Sequence, residues 1–502
     1  MSVNLSILVF LPLLAGLLCA VVPGSAARWI GLAASVLVLA LSVMLVAAFD
    51  PDAGLQFVTD VAWIPELGVR YSLGVDGLNL FLVLMTALLW VPATFVSAHA
   101  GYTRPRLFYF QLGLAETAVL GAFLAQDLAL FVVFFDLMLV PFYFLIGAWG
   151  GADRVQATTR FVIYTLVGSL LMLAGAVALG VLSTPDGGQI SFDLAELARR
   201  DLPAGSQAWI FWMFALAFFV KAPLFPLHGW MPDAYRSSPV PVLVLLSAVL
   251  SKVGAYGFLR IVLPLLPDAS ARFAELVILI AVVSILYGSV LAFSQDEVRL
   301  VVGYSSIAQL GFITLGIFSL DPKGAQGAVM QMVNHGLVVV PLFLLAAVLV
   351  HRAGGSESLA RMGGIAFRAP VLAALLLVVS LATLAMPGSP NFVGELLILF
   401  GVFETHIVYG LVASAGVVLA AVYMIRFFQR AMHNRVGPSV ESRDIGRVDF
   451  AAVAPLVLVI VALGVYPQFL LGRTEAATVA KVQEAGRLAE PPAAATAQEP
   501  VR

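Results

Sequence analysis

The 502-residue chain has a single cysteine, Cys19, inside its first apolar run, which excludes a disulfide framework and a thiolate metal site. Charge is scarce as well. Asp, Glu, Lys and Arg make up 11% of the residues against 61% apolar, and the mean hydropathy is +1.01, a balance that no water-soluble globular domain approaches. There is no Gly-rich dinucleotide turn, no cysteine cluster for iron–sulfur centres and no quinone-site signature, so redox chemistry belongs to partners. No positively charged segment precedes the apolar start MSVNLSILVFLPLLAGLLCAVV, which therefore reads as a retained span rather than a cleaved signal. The net charge of −2 says nothing about partners, because so few charges remain and most sit in loops.

What the sequence has in abundance is long apolar runs. About fourteen stretches are long enough to cross a bilayer, the first near residues 4–22 and the last near 450–472. The expected fold is an all-α polytopic membrane protein, one membrane-embedded domain over residues 1–472. The Ala-, Glu- and Pro-rich segment 473–502 is expected to be a disordered tail. Basic residues alternate between loops: fifteen arginines fall on one side, and Arg70, Arg199, Arg200, Arg260, Arg272 and Lys323 fall in the loops of the other before the tail. The positive-inside rule puts the fifteen in the cytoplasm and, with an even number of spans, both termini outside.

The few charges inside the runs stand out by their depth. Lys221 lies in AWIFWMFALAFFVKAPLFPLHGWMPDAYR, followed at once by Pro223 and Pro226, and Lys252 lies in PVPVLVLLSAVLSKVGAYGFLR. About twelve residues into its run, Lys252 is ~18 Å down a helix and near mid-bilayer. An ionisable group there costs at least ~2.5 kcal/mol, so it is normally paired, cavity-facing and functional. Residues 207–262 thus organise the chain, and the expectation is that both ammonium groups carry protons. The two prolines break the helix after Lys221, and irregular backbone at that depth survives only where protein or water covers it. A packing kink is the bland reading of such a break; the charge beside it favours a transport path.

Carboxylates and a histidine join the lysines. Asp136 sits about nine residues, ~13 Å, from the outer end of LALFVVFFDLMLVPFYFLIGAWG. Such a group is either kept in its acid form by desolvation or paired with a cation, and Lys221 and Lys252, two and three spans later, favour pairing. Pro141, about a turn beyond, loosens the local backbone ladder. Glu116 lies about ten residues into the fourth run with Gln111 before it and, unlike Asp127 in the following loop, has no nearby water. His335 is ~15–18 Å deep beside Gln331 and Asn334; a lone buried histidine is more often just hydrogen-bonded, but its near-neutral titration suits a relay. Tyr304, Ser305, Ser306 and Gln309 either bond back to their own helix or line a wet path. Asp76 reads as a cap on the third span. The loop STPDGGQISFDLAELARRDLPAGSQ reads as a small surface hairpin and a short helix.

A second break, Met386-Pro387-Gly388-Ser389-Pro390, interrupts the twelfth run, with Glu395 just beyond it. Two broken spans five apart, each with a charge near the break, indicate a duplication of spans 4–8, about 106–262, and spans 9–13, about 271–430. Five is odd, so the second half enters the membrane from the opposite side as an inverted repeat.

The runs LGVDGLNL, DLMLVPFYFLIGAWGG, FFVKAPLFPLHGWMPDAY, VGYSSIAQLG, MPGSPNFVGELLILFG and YMIRFFQR resemble the antiporter-like subunits of the respiratory proton-pumping NADH:quinone oxidoreductase, complex I. The match runs in the expected order from about residue 60 to 470. Glu395 is similar to the M-type branch, since the L- and N-type sisters carry lysine at that break. The resemblance implies that Asp136 takes the place of the fifth-span glutamate paired with Lys221, that Lys252 passes the proton toward the centre, and that His335 and Glu395 continue the path outward. It also matches Glu116 to a fourth-span glutamate. Aspartate at 136 departs from the family: it is one methylene shorter, so the helices approach more closely or a water bridges the gap. Also implied are a bacterial inner-membrane location, L- and N-type neighbours, and NADH, FMN, iron–sulfur clusters and quinone in partner subunits, with no cofactor in this chain and no nucleic acid.

Two rivals share these features. One is a subunit of an Mrp-type multisubunit cation/proton antiporter, a transporter without a redox partner, against which Glu395 argues. The other is the membrane arm of a related hydrogenase or ferredoxin-driven complex. A purely structural bundle would not place four charges and a histidine at mid-depth.

Overall fold

In lipid the backbone of an apolar run has no partner but itself, so it coils into a helix. The computed structural model, which describes residues 3–441 and 443–489, is helical almost throughout. Among the described residues twelve helices are long and apolar enough to cross a membrane, from Gly24–Ala48 to Arg447–Val465, and Leu5–Val21 and Pro370–Thr383 are shorter apolar helices. Each apolar stretch read from the sequence overlaps one of these. Their ends follow from local chemistry. Asn4 accepts the N–H groups of Ser6 and Ile7 at 3.0 and 3.3 Å, Asp127 accepts that of Leu130 at 2.9 Å, and Pro105, Pro267, Pro322, Pro370 and Pro390 fill first-turn positions whose N–H groups are free anyway.

Burial sorts the helices into centre and rim. The most apolar window of Val240–Leu265 is 100% buried and those of Val298–Phe318 and Pro322–Arg352 are 94% and 89% buried, whereas Gly24–Ala48 and Arg447–Val465 reach only 28%. The rim turns Leu14, Leu37, Val167, Leu411 and Leu458 outward, the surface that acyl chains require. At the centre, Pro322–Arg352 and Pro390–Thr405 touch backbone to backbone: a Cβ on Gly327 would meet the Ile398 nitrogen at 2.6 Å and the Gly394 carbonyl at 2.8 Å.

Both sequence-predicted breaks are present. The helix Ala204–Lys221 stops at Lys221, and the chain turns irregularly to the short helix Met231–Ser237. The groups freed there find partners inside the protein: the Trp230 indole donates to the Val220 carbonyl at 2.9 Å and the Phe225 N–H donates to Ser284 Oγ at 3.0 Å. The second break turns through positive φ at Ala385 and Gly388 before Pro390–Thr405. Pro141 also acts as expected, since Leu128–Trp149 is interrupted at Met138.

Four expectations are corrected. The hairpin is not in the 183–207 loop. It is formed by strands Gln56–Ile64 and Val69–Val75, with Val61 opposite Tyr71 and a turn at Gly68, φ 67°, that lies on the Ile190 carbonyl. The 183–207 loop instead runs extended beside Asp127 before the short helix Leu194–Leu197. Asp127 itself is fully buried rather than watery, because Leu128 and Leu194 exchange backbone hydrogen bonds with Phe192 and Gln126 around it. Residues 473–489 are not disordered: Gln468–Ala489 is a helix whose Leu470, Thr474, Thr478, Val482 and Ala485 form one buried face, and residues 490–502 lie outside the described residues. Arg260, counted among outer-loop charges, sits buried within the helix Val240–Leu265.

Ion pairs tie the loops together. Arg236–Glu297, Arg299–Glu357 and Arg430–Asp296 join loops that their arginines had already grouped on one side, and Arg70–Asp60 and Lys323–Glu404 lie in the other group.

Candidate functional site

Lys221 is the last residue of its helix and only 2% exposed. Its Nζ lies 4.4 Å from the centre of the Phe135 ring, a cation–π contact, and makes no hydrogen bond or ion pair among the described residues. Asp136, the next residue along, accepts a short hydrogen bond from Ser169 Oγ. The two charges are near enough to feel each other but do not meet within 4.0 Å. Toward the basic end of the bundle, His228 meets the Tyr287 hydroxyl at 3.2 Å and Asp233 pairs with Arg160.

The next charge sits on the central helix. Val240–Leu265 winds into π-helical turns at Leu246–Leu250 and Phe258–Val262, with Lys252 between them. Such turns spoil the regular ladder and free carbonyls, and they recur at functional sites. Here the Ser247 carbonyl accepts from Lys252 Nζ at 2.7 Å and from Ser251 Oγ at 2.7 Å. The helix is held against the end of the Lys221 helix by Gly254, where a Cβ would meet the Phe218 carbonyl at 2.7 Å and the Ala222 nitrogen at 2.9 Å. No larger residue allows that approach.

Lys252 Nζ also lies 2.6 Å from His335 Nδ1. An ammonium only donates, so with Lys252 charged Nδ1 is the acceptor and the ring proton is on Nε2. One turn away on the same helix, Gln331 Nε2 donates to Gln309 Oε1 at 2.7 Å and reaches Glu395 Oε1 at 3.4 Å, which also accepts from Gln309 Nε2 at 2.8 Å. The other Glu395 oxygen, the Tyr423 hydroxyl, Asn334 Oδ1 and both ends of the Asn391 amide are buried with no partner among the described residues. Polar groups buried in this way are satisfied by ordered water. Lys252 with His335, and Gln331 with Gln309 and Glu395, are thus two hydrogen-bonded groups one helical turn apart, aligned through the three most buried helices and on to Pro390–Thr405.

The comparisons with known proteins bear on this line. The family model described as "NADH:quinone oxidoreductase/Mrp antiporter, TM" matches residues 125–421, the stretch from just before Asp127 to just short of Tyr423. The chain belongs to this family. Among individual relatives of the antiporter family, it is 38% identical over 483 residues to NADH-quinone oxidoreductase subunit M of Rhodobacter capsulatus, covering 93% of this chain and 94% of that one. The subunit M of Mycobacterium tuberculosis is also 38% identical, with 93% and 92% covered. Respiratory complex I from Thermus thermophilus with bound NADH contains a chain of the same fold, with a TM-score of 0.88, 31% identity and coverage of 96% and 99%. A chain of the Mrp complex from Dietzia shares the fold at a TM-score of 0.86 and 21% identity.

Within this antiporter-family fold the candidate residues do not all meet. Lys252 and His335 are in contact, and Glu395 bonds Gln309 and Gln331, the latter one turn from His335 on the same helix. Asp136 and Lys221 form a separate pair of groups at the first break. Glu116 is elsewhere: its Oε1, with no partner among the described residues, faces a small cavity shared with Trp90, Thr94 and Tyr109 among the first four helices. The sequence placed Gln309 among residues that bond back to their helix or line a wet path and Gln331 beside His335, but did not single out Ser169, Asn391 or Tyr423. Among the described residues no three His, Cys, Asp or Glu side chains gather to hold a metal ion.

Proposed function

We propose that the chain is an M-type membrane-arm subunit of a proton-translocating NADH:quinone oxidoreductase, and that protons move along Asp136, Lys221, Lys252, His335 and Glu395. The 2.6 Å contact between Lys252 Nζ and His335 Nδ1, at the most buried helix of the bundle, is the observation that carries this reading. A lysine and a histidine at that depth have no structural need of each other, but they are the pair a proton hand-over requires.

In this reading Asp136 alternates between facing Lys221 and the observed hydrogen bond from Ser169. Facing, opposite charges stabilise each other; turned away, the Lys221 ammonium keeps only an aromatic ring and gives its proton up to a neutral Lys252. A neighbouring subunit that moves or recharges would drive the change, and the proton would continue through His335 and the glutamines to Glu395. NADH, FMN, iron–sulfur clusters and quinone belong in this reading to partner subunits, with L- and N-type chains as neighbours. The chain lies in a bacterial inner membrane with about fourteen spans, inverted repeats near 106–262 and 271–430, and both termini outside. Glu116 stays in the reading as a separate proton-binding carboxyl.

Lys221→Ala and Glu395→Ala should each nearly abolish NADH-driven pumping in membranes that still assemble the complex. Wild-type pumping in either sinks the proposal. One observation favours a second reading, a subunit of an Mrp-type antiporter: the matching family model covers both kinds of complex. Membranes with sodium-dependent proton exchange and no NADH-linked activity would select it.

A further inference from the structure

The helix that carries Lys252 holds two more buried polar side chains at the helical repeat, Tyr256 and Arg260, about 6 and about 12 Å further along. Arg260 is 3% exposed. Its guanidinium donates to both oxygens of Asp76 at 2.7 Å, a bidentate pair, and its Nε donates to the Tyr256 hydroxyl at 2.7 Å. That hydroxyl donates in turn to the Phe123 carbonyl at 2.8 Å. Asp76 also accepts the N–H groups of Leu78 and Asn79 at 3.0 and 3.3 Å. Its expected capping role is therefore real, but half of its work is the arginine.

A second cation stands beside the pair. The turn after Asp76 lies on the C-terminal helix, where a Cβ on Gly77 would meet the Arg473 carbonyl at 2.3 Å. Two turns on, Lys481 is close enough to feel both Arg260 and Asp76, and burial together with the Arg260 charge pushes its ammonium down to about 8. At neutral pH the cluster holds two cations and one anion.

This column leads from the centre of the proton line toward one end of the bundle, yet its chemistry is wrong for conduction. A relay group must accept a proton on one side and release one on the other. Arg260 offers donors only and is not deprotonated in proteins. The single proton of Tyr256 is committed to Phe123 and its oxygen to Arg260. A fixed positive charge about 12 Å from Lys252, at an effective dielectric of about 20, lowers the chance of a further proton there about tenfold.

We infer that Asp76, Arg260 and Lys481 form an electrostatic plug that closes the short exit from Lys252 along its own helix, so that a proton on Lys252 leaves sideways through His335. The plug rests on the proton-line reading above, and its test separates the two. The membrane complex containing this chain is sealed into phospholipid liposomes, a pH gradient is imposed without NADH, and the decay is followed with an entrapped pH dye. Arg260→Gln should speed the decay about tenfold. Arg260→Lys, which keeps the charge, should hold the decay near the parent's rate. Adding Lys252→Ala to Arg260→Gln should return it to that rate. Arg260→Gln liposomes as tight as the parent, or a leak that persists without Lys252, overturn the plug. Should Arg260→Gln fail to assemble, Lys481→Gln gives the same test with a smaller increase expected, and no increase overturns it. NADH-driven pumping of Lys221→Ala is read in parallel, and parent-level pumping there rejects the proton line whatever the leak.

Discussion

Burial pushes the Asp127 carboxyl up to about 6, outweighing the hydrogen bonds it accepts from the Leu130 and Arg70 N–H groups. Its folded value is higher than the unfolded ~3.9, so the bound proton stabilises the fold. That contribution is fully present below about pH 4 and lost as pH rises through about 6, worth about 3 kcal/mol at most. Asp127→Asn keeps a side-chain oxygen to open Leu128–Trp149 and has no charge to lose. Its thermal midpoint should therefore be flat between about pH 4 and about pH 7 where the parent's declines. A parent midpoint that is equally flat contradicts this account. The burial of Lys221, Lys252, His335 and Glu395 was legible from the sequence because each lies deep inside a long apolar run. Ser169, Asn391 and Tyr423 were not, because a polar group in a span usually bonds to its own helix. Nor does the sequence reveal that Gln309 and Glu395, 86 positions apart, share a hydrogen bond.

At the scale of elements, the breaks were legible because proline acts locally, removing its own N–H. What closes them was not, since the Trp230 indole reaches back to Val220 across the break it helps to form. Trp230→Phe keeps the aromatic packing and leaves that carbonyl without its donor. The cost is about 1–3 kcal/mol, read as a lower thermal midpoint of the assembled complex with reduced pumping, and an unchanged midpoint argues against the bridge. The hairpin was placed in the wrong loop because Asp-Gly-Gly is a strong turn signal, whereas the true turn is a 3-10 turn at Pro65–Leu67 closed by Gly68. The C-terminal helix was missed because its composition is that of a solvated segment. Its buried stripe of Leu470, Thr474, Thr478 and Val482 gains its partners only when the bundle has formed.

Across the whole molecule, the polar line passes through the helices with the least exposure to lipid, and the rim helices shield it. The proposed transfer along buried groups needs that arrangement, because a continuous path to bulk water would leak protons and acyl chains against the line would strand charges, whereas single ordered waters do neither. The same fold carries family members named for NADH:quinone oxidoreductase and for Mrp complexes, so function rests on the site. The bundle was readable from hydropathy alone; the order in which helices surround Lys252 was not, since it depends on close approaches such as Gly254 on Phe218.

The central claim is that a carboxylate at 136 switches Lys221 between holding and releasing a proton. The most direct test is the ratio of protons pumped to electrons transferred in closed membrane vesicles carrying Asp136→Asn, beside Asp136→Glu. The account predicts that the Glu variant pumps and that the Asn variant, with no charge to offer, transfers electrons without pumping through this chain. An Asp136→Asn variant that pumps with the parent's ratio would contradict it.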